Sequence, residues 1–186
     1  MDGGARLKKR FLRWNKATGA WSLYEDDGWG ADWLSRDGTS NVEELFYERC
    51  RSLLEGAIGG SVTVRIPFDR RQEELVIFRS MLCGVFRAAV YGCVSVMVCG
   101  CVTQTDLVRV RQEFARAFCD LERDGREFNG YIARGLLIES PVLLLSSQIA
   151  EGMDFLCFDA QKLGMELSRQ FAEARWMTSI AVSLGK

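Results

Sequence analysis

Apolar positions along the chain switch repeatedly between helical spacing and short continuous runs, and each switch predicts an element. Near the start, Phe11 to Trp14 and Ala20 to Tyr24 flank Asn15-Lys16-Ala17-Thr18-Gly19, a turn-forming stretch that predicts an antiparallel hairpin. Ser40 stands as helix cap with Glu43 three residues on, and Leu45, Phe46, Leu53 and Leu54 continue one apolar face until Gly59-Gly60. After that, strands are predicted over 61–66, 94–98, 131–138 and 154–158. Helices are predicted over 73–91, 105–123, 141–151 and 162 to about 176. Repeated strand–helix units of this kind imply a parallel sheet with right-handed crossovers, open or bent into a barrel. The expected organisation is a Trp-rich hairpin extension over 1–40, holding four of the five Trp, followed by an α/β domain over 41–186.

In such a sheet the carboxyl ends of the strands are where ligands bind. Leu136, Leu137 and Ile138 form an apolar run tipped by Glu139, and Ser140-Pro141 opens the next helix. A carboxylate at that edge can hold Mg²⁺.

Composition narrows the chemistry. With 186 residues, nearly half of them hydrophobic, and a formal net charge of −1, the chain is expected to be one soluble globular domain with no bias toward nucleic acid. Seven cysteines without a CxxC pair suggest reduced, buried thiols and a cytoplasmic location; Cys99 and Cys101, two apart, are expected on one face of a strand. No apolar region follows the basic N-terminal residues, and the run from Val85 to Val102 is interrupted by Arg87, two Gly and a Ser, so neither a signal peptide nor a membrane span is expected. The chain contains no histidine. That excludes the commonest general base, the commonest zinc ligand and a phosphohistidine.

Four stretches carry a resemblance. Val42–Arg65 (VEELFYERCRSLLEGAIGGSVTVR) resembles a helix of EEEQFEAY type, a Gly turn and a strand of VTIRTLD type. Phe78–Val98 (FRSMLCGVFRAAVYGCVSVMV) is similar to a helix of FRxQLRAILRAS type with its following strand. Tyr131–Pro141, ending GLLIESP, resembles GVMIETP, and Met153–Leu163 (MDFLCFDAQKL) resembles VDFFSIGTNDL. These belong, in this order, to the barrel domain of the phosphoenolpyruvate (PEP)-utilising enzymes, above all the PEP-protein phosphotransferase (enzyme I) branch of the sugar phosphotransferase system, with pyruvate phosphate dikinase and PEP synthase as more distant relatives. The likeness spans about residues 40–172 and implies a partial or open TIM-like (β/α) barrel carrying a short N-terminal β-ribbon.

What the resemblance implies for the site follows residue by residue. Arg65 falls on an arginine that binds the phosphate of PEP, a role suited to a bidentate guanidinium; its alternative is a structural pairing with Asp69 or Asp159. Glu139 falls on the first Mg²⁺ ligand, with neutralisation by Lys162 as the other reading. The Asn and Asp of TNDL correspond to Gln161 and Lys162, which reverses the charge at the second metal ligand. Gln161 and Lys162 become candidate substrate-binding residues, and Asp159 a substitute metal ligand. The second substrate arginine, the strand with the proton-donating Cys, and the phosphohistidine domain have no counterpart; the downstream family arginine aligns with Ala172, with Arg169 and Arg175 nearby. The expected function is therefore a catalytically impaired binding or regulatory module for PEP or another small anion. The alternative is an active Mg²⁺-dependent phosphotransferase or lyase within a larger assembly. In the family the barrel dimerises, so a homodimer or a protein partner is expected, and the N-terminal ribbon is expected to cover an open sheet edge.

Overall fold

A computed structural model describes residues 9–26, 41–56, 61–145 and 149–184. The expected helix cap at Ser40, the Gly59-Gly60 helix end and two of the N-terminal Trp lie outside them. Strands β1 (Lys9–Asn15) and β2 (Ala20–Asp26) make the expected hairpin. The Asn15 carboxamide accepts the backbone N–H groups of Ala17 and Thr18, at 2.9 and 3.3 Å, and so shapes the turn. Helix α1 (Val42–Gly56) follows, then β3 (Ser61–Pro67), α2 (Gln72–Ala88) with a 3₁₀ turn over Ala89–Tyr91, β4 (Cys93–Cys99) and α3 (Gln104–Arg123). Strand β5 (Ala133–Ile138), α4 (Pro141–Leu144), β6 (Phe155–Phe158) and α5 (Ala160–Leu184) complete the series.

The sheet order is β2-β1-β6-β5-β4-β3, with β3 to β6 mutually parallel. The ribbon does join the sheet. Strand β1 pairs antiparallel with β6, Arg13 opposite Cys157, and the backbone continues this with Lys16 N–H donating to the Asp154 carbonyl at 3.0 Å. Trp14 and Trp21 are paired across the hairpin, but their side chains lie outside the described residues.

Alternation along the strands creates two unequal layers. Val64 and Ile66, Val94, Val96 and Val98, Leu136 and Ile138, and Leu156 join Phe46, Phe78, Leu82, Phe86, Leu107, Phe114 and Leu143 of the helices in one large core. The intervening residues Met97, Leu137, Phe155 and Cys157 form a small buried cluster on the other face, where Arg13 lies 3.8 Å above the Phe155 ring centre. Helices α1 to α4 thus cover one face of the parallel strands.

Several elements depart from the sequence expectation. Asn41 caps α1, its carboxamide accepting the Glu44 N–H at 3.2 Å, and the helix starts at Val42. Helix α4 is one turn long rather than running to Glu151, whereas α5 begins two residues early and extends to Leu184. Cys99 and Cys101 do not share a face. Strand β4 ends at Cys99, Gly100 turns the chain with φ +86°, and Cys101 enters the large core while Cys99 stays with the small cluster. All seven cysteines are described and none is in a disulfide; Cys93 and Cys119 are exposed, against the expectation that the thiols are buried. No helix among the described residues is long and apolar enough to cross a membrane.

Candidate functional site

The carboxyl ends of β4 and β5 and the first three turns of α5 line a half-open cavity of about 390 Å³. Gly100, Cys101 and Val102 line it from the turn after β4, Glu139 and Ser140 from the end of β5, and Lys162, Met165, Glu166 and Arg169 from α5. The last four recur at i, i+3, i+4 and i+7, one face of a helix. Helix α5 starts at this edge because Asp159 caps it, its carboxylate accepting the Lys162 backbone N–H at 2.9 Å.

Glu139 is held from two sides. One carboxylate oxygen accepts from the Lys162 ammonium at 2.9 Å and the other accepts the Gly100 N–H at 3.2 Å; its side chain is only 20% exposed, against 59% for Lys162. Farther along α5, the Arg169 guanidinium lies 2.6 Å from Glu166. Cys101 borders the cavity but is buried, and burial above all, then the neighbouring Asp106 charge, pushes its thiol well up, so it stays protonated at neutral pH.

The sequence-derived site residues do not all meet here. Glu139 and Lys162 do, as an ion pair. Asp159 stands one residue beyond β6 with its carboxylate engaged in the helix cap, and Gln161 is exposed and outside the cavity lining. Arg65 lies one residue from the helix-covered Val64 and Ile66 on either side, so it belongs to the opposite sheet face, half-buried, and it too is outside this lining. Asp69, one proposed partner for Arg65, is bonded to Arg71 instead, through the backbone N–H at 3.0 Å and the guanidinium at 2.8 Å. Cys157 is core, packed with Met97, Leu137 and Phe155.

Magnesium is a poor fit to these residues. It prefers an octahedron of oxygens with one or two carboxylates as protein ligands, yet the Glu139 carboxylate is held by an ammonium and a backbone N–H. No three Asp, Glu or Cys side chains converge as cation ligands among the described residues. A divalent ion beside Lys162 would also meet a repulsion of about 2 kcal/mol even in water at a separation of about 4 Å.

Val102, Ser140, Met165, Glu166 and Arg169 were not among the expected site residues. Helical spacing from Lys162 finds the last three, and nothing in the sequence marks the first two. The chain matches no protein-family model and no curated protein.

Proposed function

We propose that the chain is a PEP-utilising-enzyme-type (β/α) barrel segment of the PEP-protein phosphotransferase kind that does not carry out metal-dependent phosphoryl transfer, and that it works as a small-molecule binding or regulatory module. The parallel strands β3 to β6 lie in sequential order with their helices on one face, which is the winding of a barrel segment rather than of a doubly wound sheet. Arg65 and Glu139 fall near the carboxyl ends of β3 and β5, consistent with the positions the resemblance implies.

The observation that carries the reading is the Lys162–Glu139 ion pair at 2.9 Å. A lysine at the position of the second metal ligand supplies internally the positive charge that a cation would bring, and it neutralises the one retained carboxylate. The site is then a pocket with fixed charges, suited to holding a ligand. Barrel-like edges at β2 and β3 also favour association with a second copy or a protein partner.

Calorimetric titration with PEP, with and without Mg²⁺, tests this. The expected result is no Mg²⁺-dependent heat. Mg²⁺-dependent binding that Arg65→Ala abolishes would overturn the proposal and restore a working phosphotransfer site.

A further inference from the structure

Four charged side chains line the cavity at the carboxyl edge, and their charges cancel. Lys162 is held by Glu139 at 2.9 Å and Arg169 by Glu166 at 2.6 Å. The two cations, Lys162 and Arg169, stand seven residues apart along α5, about 10 Å at 1.5 Å per residue. The lining also includes Met165 and, from the turn after β4, Val102 and the neutral Cys101.

This layout discriminates among ligand charges. A purely anionic ligand that draws Lys162 away leaves Glu139, four-fifths buried, without its counter-ion, and an uncompensated buried charge is costly. A purely cationic ligand displaces Lys162 at less cost, because Lys162 is 59% exposed, but it still leaves that ammonium without its counter-ion. A ligand carrying both signs on adjacent atoms leaves neither unpaired. Its carboxylate meets further N–H groups of Lys162, since an ammonium has three and Glu139 takes one. Its ammonium meets remaining lone pairs of the Glu139 carboxylate, which has about four and uses two in the bonds to Lys162 and Gly100.

We propose that the cavity binds a zwitterionic α-amino acid with an unbranched apolar side chain, its charged head on the Lys162–Glu139 pair and its side chain laid along Met165 and Val102. This rests on the reading of the same site as a metal-free binding pocket. The size is appropriate: ligand pockets commonly run from about 300 Å³ upward.

Titrating the full chain with L-methionine, with the amine and the acid that each lack one of its two charged groups, and with PEP and inorganic phosphate tests the assignment without any variant. L-Methionine is expected to bind and each single-charge analogue to bind at least about tenfold more weakly, a difference of about 1.4 kcal/mol. Glu139→Gln and Lys162→Gln are each expected to weaken methionine binding by about tenfold or more, with cooperative thermal unfolding as the control for folding. Binding of PEP or phosphate in place of methionine, lost in Lys162→Gln, would overturn this ligand class and leave the binding-module reading standing. A single-charge analogue that binds as tightly as methionine would also overturn it. Absence of binding by every probe would overturn both.

Discussion

Asp106 shows how a single side chain holds a turn together beside the site. It is buried, which alone would raise its carboxyl pKa, but the N–H groups of Val102 and Thr103 donate to it at 3.0 and 2.9 Å, and Arg70 stands 3.9 Å away. The donors and the charge outweigh the burial and hold the carboxyl below the usual range. The unfolded chain therefore takes up this proton first as the pH falls, so the contribution is present at neutral pH and lost on acidification through the carboxylate range. Asp106→Asn is expected to cost about 1–2 kcal/mol at neutral pH and to flatten the acid dependence, as read by urea unfolding at a series of pH values. Thiol reactivity separates the cysteines in the same way. Burial pushes Cys50 and Cys83 up to about 12, while Cys93 and Cys119 are exposed. A thiol-specific reagent on the native chain is expected to modify Cys93 and Cys119 rapidly, and modification of Cys50 or Cys83 at a comparable rate would contradict the packing. Residue-level reading of the sequence reached Glu139 and Lys162 because a charge ending an apolar run is visible there. It missed Arg169 as a wall residue, although helical spacing from Lys162, seven residues earlier, places the two on one face.

Elements were most legible where one face is buried and the period is strict. The strand β3 alternates Val62, Val64 and Ile66 with Thr63 and Arg65, and α3 spaces Leu107, Val110, Phe114, Ala117 and Leu121 at helical period, so both were found to within a residue or two. Helix α4 was not, because Pro141 to Leu145 is apolar throughout and carries no period; the helix stops after one turn and leaves Leu145 88% exposed. At the start of α1 the sequence offers two good caps in a row, Ser40 and Asn41, and the carboxamide of Asn41 accepts the Glu44 N–H. The packing of α1 on α2 hinges on Gly84, where an added Cβ would fall on the Glu43 carbonyl oxygen and within 2.9 Å of Phe46 Cβ. Both obstacles are parts of α1, one of them backbone, so the helices must separate. Gly84→Ala is expected to destabilise by about 1–3 kcal/mol despite its better helix propensity. An unchanged urea midpoint would show that the two helices have room to give.

At the scale of the whole molecule, a six-stranded sheet joins a four-stranded parallel unit to an antiparallel ribbon that covers the β6 edge. Removing residues 1–26 is expected to expose β6 and shift the chain toward higher oligomers in light scattering, because an unpaired strand is a template for other chains. A monodisperse product with unchanged unfolding would mean that the ribbon is an appendage. The alternation of strands and helices told of the parallel unit from the sequence, but the antiparallel docking of β1 on β6 involves residues about 140 positions apart and has no local signature. We propose that the Lys162 ammonium takes the place beside Glu139 that a cation would otherwise hold. Manganese titration followed by electron paramagnetic resonance, on the native chain and on Lys162→Asp, tests this most directly. The native chain is expected to leave manganese in solution, and Lys162→Asp, with two carboxylates facing each other, to bind it. Manganese binding by the native chain, lost in Glu139→Gln, would contradict the account.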